Sequence, residues 1–367
     1  MADIRWDIPH TNRIKFVMVS PTNLSLELGE ICGVLKDSAS LTWGYYTDTR
    51  VSGSIKLLDS SNYTKGSFIR IYHEIPEWNY RQPLATLVPT DDPQTINKNS
   101  HTTSLTLQSL LYTMDKDIWP WDFVAQRGHD ALSWLHMTIG FNRYRQYIDY
   151  YPSNYTYNDT YTFDGSMLAR AFAFAKDSGN RLDVDGLGRI TIMPYEAPSS
   201  RSSEYFLDLS QSNSMVQSDI SVKSDFYSRP NRVVVKNSYN DSNSSKNVNR
   251  VAYEDVDYNN PTGLHIRGYT IAKEYNLNND SRHDQKYVED MAKYYLNKEQ
   301  RPLTTWDLNI VGYLPLTGGS RVSFTSPTPE YPGIRECLVK DVSLDLSKMT
   351  MKLGLKEIAA DDKGDEK

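Results

Sequence analysis

Cysteine is nearly absent. Only Cys32 and Cys337 occur in 367 residues, which excludes a disulfide-stapled scaffold, and a reducing compartment keeps both as thiols unless the fold brings them together. No run of about 18 apolar residues is present, so no transmembrane helix is expected. The opening Met-Ala-Asp-Ile-Arg-Trp-Asp lacks the apolar stretch of a secretory signal. The chain is therefore expected to be made and folded in a cytoplasm, and the triplets at Asn62, Asn154, Asn158 and Asn240 that match glycosylation acceptors read as Asn-rich loops. Positive charge is also short, with 40 Lys and Arg against 46 Asp and Glu and a net charge of −6. That excludes a nucleic-acid clamp, which needs a basic stripe to neutralise phosphates. It does not exclude a passage, because a tunnel lined by carboxylates and neutral polar groups lets a polyanion slide without holding it.

Catalytic motifs are missing as well. There is no Gly-x-Ser-x-Gly elbow, no phosphate-binding Gly-x-x-x-x-Gly-Lys and no dinucleotide fingerprint. The histidines at 10, 73, 101, 129, 136, 265 and 283 include no His-x-x-x-His pair. His129 and His136 have no carboxylate or cysteine beside them at a ligand spacing. Asp183-Val184-Asp185-Gly186 has the look of a calcium loop but lacks the alternating ligands and closing Glu, and reads as a hairpin turn. Asp91-Asp92, or Asp115 with Asp117, would suit a glycosidase only at a separation that loop adjacency does not specify. No catalytic, cofactor-binding or metal-ligating residue is assigned, and the expectation is a protein that is not an enzyme.

What the chain does have is β-structure. At 39% hydrophobic and 23% charged residues the composition is that of a globular protein large enough for two or three cores. Strands are expected at Ile14 to Ser20, Leu24 to Leu28, Ser40 to Tyr46, Val51 to Leu57 and Phe68 to Tyr72, with Pro76 to Asn99 and its four prolines as a loop or edge excursion. From about Asp115 the period changes to helical. Ala131, Leu132, Leu135 and Ile139 form one stripe, and Met167, Leu168, Ala171, Phe172 and Ala175 another, with Asp164 as its N-cap. Leu182 and Val184 with Ile190 and Ile192 make a hairpin. Glu196 to Ser214 reads as a connector, Asn231 to Lys236 and Arg250 to Glu254 as strands, and Asn237 to Asn249 between them as a long exposed loop. A helix from Gln285 to Gln300 places Val288, Met291, Ala292, Tyr295 and Leu296 on one face. Alternating runs follow at Thr305 to Val311, Arg321 to Phe324, Glu336 to Leu346 and Met349 to Leu355, the pattern of a half-buried antiparallel sheet.

The 26 tyrosines suit interfaces and sugar-facing surfaces as well as half-exposed strands. Trp119-Pro120-Trp121-Asp122-Phe123 reads either as an anchor for a partner or as core filling beneath the neighbouring helix, and the helix's need for packing favours the core. Trp78-Asn79-Tyr80-Arg81 has fewer local reasons to be buried. Trp78, Tyr80, Arg81, Trp119 and Trp121 are the candidate interface residues.

The order of parts resembles phage baseplate hub proteins. The resemblance rests on Gly186-Leu187-Gly188-Arg189-Ile190-Thr191-Ile192, on Arg229-Pro230-Asn231-Arg232-Val233-Val234-Val235, on the helix before Pro302, and on Leu316-Thr317-Gly318-Gly319-Ser320-Arg321-Val322 with Lys348-Met349-Thr350-Met351-Lys352-Leu353. It covers roughly residues 10 to 358 and extends to tail proteins of long-tailed phages and contractile injection particles. It implies an α+β, mainly β fold, with two tail-tube-like antiparallel β-barrel domains and an inserted small α/β unit. The expected boundaries are 1–115 for the first barrel, 116–214 for the inserted unit and 215–358 for the second barrel with one helix, followed by a disordered acidic tail at 359–367. In such hubs three chains form a pseudo-sixfold ring that joins the tail tube or distal tail protein to a spike or fibre, and DNA passes without specific binding. Two rivals are a carbohydrate- or receptor-binding tail module, expected to expose an aromatic platform, and a peptidoglycan hydrolase, expected to hold one carboxylic acid with a raised pKa in a cleft.

Overall fold

In the computed structural model the described residues are 10–358, apart from breaks at 98–99, 119–122, 159, 164, 210–214, 218–219, 225–226, 242–245, 278–283, 301–303 and 327–332. The acidic tail therefore lies outside them. The chain divides into two compact units, one of Met1–Ser221 with Trp306–Lys367 and the other of Val222–Thr305. In chain order the elements are β1 (Arg13–Ser20), β2 (Asn23–Glu30), β3 (Ser40–Gly44), β4 (Val51–Leu58), β5 (Phe68–Ile75), β6 (Tyr80–Asp91), β7 (Gln94–Asn97), β8 (Ser100–Gln108), α1 (Leu111–Asp115), β9 (Phe123–Ala125), α2 (Ala131–Gly140), β10 (Tyr147–Asp149), β11 (Tyr161–Phe163), α3 (Met167–Asp177), β12 (Asn180–Val184), β13 (Ile190–Pro194), β14 (Tyr205–Asp208) and β15 (Ser221–Ser224). They continue as β16 (Arg232–Asp241), β17 (Lys246–Asp255), α4 (Leu264–Arg267), β18 (Ala272–Leu277), α5 (Gln285–Glu299), β19 (Thr304–Val311), β20 (Arg321–Thr325), β21 (Ile334–Asp345) and β22 (Thr350–Glu357). The protein is α+β and mainly β, as expected.

The larger unit is organised by one sheet in which β19, β22, β21, β3, β4, β8, β6, β5, β1 and β2 follow one another in that order. Strands from the two ends of the chain meet where β3 pairs antiparallel with β21, Ser40 opposite Asp345 and Gly44 opposite Asp341. Alternation sets the inward faces: Trp306, Leu308 and Ile310 of β19 are buried, as are Met351, Leu353 and Leu355 of β22. Trp306 is fully buried and lies edge-on to Phe324 at 5.0 Å.

One expectation is corrected in this sheet. The proline-rich stretch after Pro76 is not a loop excursion, because Tyr80–Asp91 forms the long strand β6 between β5 and β8. Pro83 and Pro89 each sit beside a register shift, at Ile71/Tyr72 and at Pro89/Asp91, where a missing N–H does not break a regular ladder.

Within the same unit, α2 and α3 pack on the small sheet β10-β13-β12 around Leu135, Ile139, Leu168, Ala171, Phe174, Leu182, Ile190 and Ile192. Asp130 caps α2 by accepting from the Ser133 N–H at 2.6 Å. The cap of α3 is Ser166, which accepts from Ala169 N–H at 3.2 Å, while Asp164 lies outside the described residues. The β12–β13 hairpin, expected from sequence, docks by its tip on β5 and β6. Thr86 Oγ1 donates to the Gly186 carbonyl (2.9 Å), and the buried Arg70 donates to Thr86 Oγ1 (2.8 Å), Leu24 O (2.7 Å) and Leu187 O (3.1 Å). A second contact lies at the Thr317–Ser320 turn. Arg181 donates to Gly318 O (3.0 Å) and Asp183 (2.6 Å), Arg201 donates to Gly319 O (2.5 Å) and Tyr45 OH (3.0 Å), and Arg50 donates to the carbonyls of Leu182 (3.3 Å) and Tyr45. The guanidiniums of Arg181 and Arg201 lie 4.6 and 5.3 Å from the Tyr45 ring centre.

The smaller unit is a β17-β16-β18 sheet with α5 on one face. Val233, Val235, Ala252 and Leu277 pack against Val288, Ala292 and Leu296 of the predicted helical stripe, and Tyr275 stacks on Tyr295 at 3.9 Å. The exposed loop expected at Asn237 to Asn249 is corrected. The ladder runs without a shift from Arg232 opposite Asp255 to Asp241 opposite Lys246, since main-chain pairing tolerates polar side chains that a pattern search counts as loop.

The hairpin contacts are close enough to test. A Cβ added at Gly186 would lie 2.0 Å from Pro83 O, and one at Gly318 would lie 2.5 Å from Tyr45 N, whereas one at Gly140 meets nothing within 4 Å. Gly186→Ala and Gly318→Ala are expected to lower unfolding free energy in urea by about 1–3 kcal/mol each, with Gly140→Ala neutral or slightly stabilising.

Candidate functional site

The candidate interface residues that the structure describes fall at the β5–β6 turn. Trp78 closes a short 3-10 turn begun by Pro76, and Asn79 takes the left-handed conformation (φ 48°) that returns the chain into β6. Trp78 is half-buried against the His10 ring at 4.7 Å. Tyr80 is half-buried edge-on to His73 (5.5 Å) and donates to Gln82 Oε1 at 2.6 Å, and burial, helped by Tyr205, pushes its phenol up to about 12. Tyr313 meets His73 at 4.8 Å, and burial raises its phenol too. Arg81 is exposed, with its guanidinium 4.2 Å from the Tyr72 ring centre and within 3.4 Å of Glu74 and 3.7 Å of Glu27. Trp78 and Tyr80 thus form the rim of an internal aromatic cluster, and Arg81 is the member that faces solvent. Trp119 and Trp121 lie outside the described residues.

Glu27 links Arg81 to a surface the sequence reading did not single out. Strand β2 ends the sheet order, so its outer main-chain groups face away from the sheet. Leu24 is buried, but Leu26 and Leu28 are 49% and 48% exposed. The alternation Leu24, Leu26, Leu28 was the available signal. It reads as an ordinary half-buried strand until the topology shows that, among the described strands, none follows β2.

The acidic and histidine candidates are accounted for by local partners. Asp92 pairs with Lys65, Asp115 with Lys116 (3.0 Å), Asp117 with the buried Arg145 (2.7 Å), Asp183 with Arg181 (2.6 Å) and Asp185 with Arg189 (2.7 Å). Asp185 Oδ1 also accepts from Arg189 N–H (2.8 Å), the hydrogen bonding of a turn. His129 lies by Trp134 (5.5 Å), whereas His136 stacks on Tyr147 (5.0 Å) and reaches Asp149 (3.0 Å). Among the described residues no group of three His, Cys, Asp or Glu converges as a metal site, and no helix is long and apolar enough to cross a membrane. Cys32 is exposed and Cys337 buried, both as free thiols, with burial raising the Cys337 pKa. Of the Asn triplets, Asn62 accepts from Cys32 N–H (2.8 Å) and Asn154 from Leu132 N–H (3.1 Å), so these amides fix loops.

With the architecture described, comparison with known proteins is informative. No protein-family model matches this chain, and no curated protein matches it. Solved structures do. A tail protein from Neisseria meningitidis MC58 superposes with a TM-score of 0.64 at 10% identity, over 95% of this chain and 97% of that one. The 43 kDa tail protein of prophage MuSo2 from Shewanella oneidensis gives 0.62 at 9% identity, over 94% and 98%. Prophage tail protein gp18 from Listeria monocytogenes gives 0.52 at 11% identity, over 96% and 95%. The chain has the fold of phage tail proteins, which is the fold the sequence resemblance implied.

The buried aromatic cluster has a pH signature. His73 is fully buried, its Nε2 lies 2.6 Å from Asn12 Oδ1, and burial, with a smaller contribution from His10, lowers its pKa to about 4. The folded pKa lies below the unfolded one, so the unfolded state binds the extra proton. Stability from this group is complete above about pH 6.5 and is lost as pH falls toward 4, by at most about 3 kcal/mol. His73→Gln, which keeps a polar partner for Asn12 without titrating, is expected to flatten the dependence of urea midpoint on pH between 6.5 and 4.

Proposed function

We propose that this chain is a structural, non-enzymatic hub at the tip of a phage-like tail. Three copies close a pseudo-sixfold ring that joins the tail tube or distal tail protein to a central spike or fibre and leaves a channel for DNA. The observation that carries the reading is the near-complete reciprocal coverage of the Neisseria tail protein, 95% of one chain and 97% of the other. The division into tube-like barrels at 1–115 and 215–358 around an insert at 116–214 belongs to this proposal, as do assembly in a host cytoplasm and residence in the virion tail. The net charge of −6 suits a channel that does not hold DNA. The pairing of Asp92, Asp115 and Asp117 with neighbouring cations weighs against a hydrolase, which needs two carboxylates facing each other across a cleft.

The ring contact is assigned to the β2 edge with its exposed Leu26 and Leu28, adjoining Arg81 and the Trp78–Tyr80 rim. The exposed edge and its two leucines offer main-chain pairing and apolar burial to a second copy, and in a closed ring this contact is head-to-tail, so β2 meets a different surface of the neighbouring chain. Light scattering of the purified chain is expected to give three times the 42.1 kDa chain mass. The double variant Leu26→Lys/Leu28→Lys is expected to be monomeric with an unchanged thermal midpoint. A wild-type chain that stays monomeric or stops at a dimer across the concentration range overturns the ring.

A further inference from the structure

Strand β2, to which the ring contact is assigned, is tied unevenly to its own sheet. Val17 lies opposite Glu30 and Met18 opposite Gly29, then Val19 opposite Glu27 and Ser20 opposite Asn23. Leu28 is skipped at the first shift and Leu24 to Leu26 at the second, so both exposed leucines stand where the regular ladder breaks. Side chains must therefore do part of the work of placing them.

Those side chains converge on Arg70 of β5, which is 3% exposed. Its Nη2 donates to Leu24 O (2.7 Å), and its Nη1 donates to Glu27 Oε1 (3.3 Å), which also accepts from Tyr72 OH (2.5 Å). The same guanidinium holds the tip of the β12–β13 hairpin. Nη2 also donates to Leu187 O (3.1 Å), and Nε donates to Thr86 Oγ1 (2.8 Å), which in turn donates to Gly186 O (2.9 Å). An apolar route runs beside this polar one. A Cβ on Gly188 would lie 3.0 Å from Thr86 Cβ and 3.2 Å from Leu110 Cδ1, and Leu110 packs with Val19 and with Leu24, the one buried residue of β2.

We propose that seating of the hairpin tip sets the conformation of the β2 edge through Arg70, so that β2 is competent to receive another chain only when the helical part of the unit is folded and docked. The proposal rests on the ring reading for what β2 receives, whereas the coupling itself is a property of the single chain. Withdrawing the tip takes Leu187 O from Nη2 and Gly186 O from Thr86, and it opens a desolvated guanidinium to water. Leu24 and Glu27 are then held by a side chain that nothing fixes in place. Lysine is no substitute, because a point charge on a flexible stem lacks the planar fork that reaches acceptors on β2, β6 and the tip at once. Arg70 is thus a positioning residue for the edge. Chain order gives the coupling its use. Leu187 follows Arg70 by 117 positions, and an ordered leucine edge on an incomplete chain is a site of wrong pairing. Tying its order to a later element delays it until the helical part has folded.

The test reads amide hydrogen exchange of β2 and association of the full chain separately. In the Leu26→Lys/Leu28→Lys background, which removes the ring contact, Gly186→Ala and Gly188→Ala are each expected to speed exchange of the peptide Asn23–Glu30 at least fivefold while β21 and β22 keep their rates. Thr86→Val acts in the same direction and adds little to Gly186→Ala, since the tip it would hold is already displaced. Gly140→Ala, elsewhere in the helical part, leaves β2 unchanged. With Leu26 and Leu28 restored, the tip variants are expected to raise the concentration at which the trimer dissociates at least tenfold. Exchange in β2 that ignores the tip, or that rises equally in β21 and β22, overturns the coupling even if the trimer forms. A trimer whose dissociation ignores the tip overturns its control of the contact. A wild-type monomer whose β2 exchange still follows the tip supports the coupling and overturns the ring alone.

Discussion

The pairing of β3 with β21 is the constraint on which the larger unit depends. Five residues near the start of the chain align with five near its end, and the ladder continues through Tyr45 N–H to Lys340 O (2.8 Å) and Leu346 N–H to Ala39 O (3.0 Å). Nearly the whole chain is thereby closed into one loop. The entropy of loop closure grows only with the logarithm of length, so each doubling adds about 0.6 kcal/mol. A fold closed by this long-range ladder can therefore accept a helical insert and a separate sheet-and-helix unit between its strands at small thermodynamic cost. The cost appears in kinetics instead, since sheet formation must wait for strands that are remote in sequence.

The arginine junction stands beside that ladder. Tyr45, the residue after β3, accepts at its carbonyl from Arg50 and faces Arg181 and Arg201 across its ring. Burial lowers the Arg50 pKa, with Arg181 adding like-charge repulsion, and Asp183 acts against both. Most of the acceptors here are main-chain carbonyls at Leu182, Glu196, Gly318 and Gly319, which impose direction and distance on the hairpin that an apolar contact would leave free to slide. Removing one partner strands a desolvated guanidinium, so substitution costs more than the intact contact contributes.

Legibility in the sequence follows from how local each cause is. The α5 stripe, the β12–β13 hairpin and the last four strands were legible because their periodicity and turn residues are written within a dozen positions. β6 was not, because Pro83 and Pro89 are breakers unless beside a register shift, and a shift is defined only once the strand has a partner. The glycines at 186 and 318 looked like turn residues, yet their closest demands come from Pro83 and Tyr45, over a hundred positions away. The interface reading met the same limit. Trp78 and Tyr80 stood out by residue type and are half-buried, while Leu26 and Leu28 looked ordinary and are exposed, since edge position is a property of topology.

A surface suited to another chain follows from this arrangement. β2 presents main-chain groups and leucines without lysine or proline, although its ladder with β1 has two register shifts of the kind that twist an edge. Its charges, Glu27 and Glu30, are partly neutralised from within by Arg70, Arg81 and Lys15. An edge that neutralises its own repulsion and exposes leucine is suited to another strand of protein.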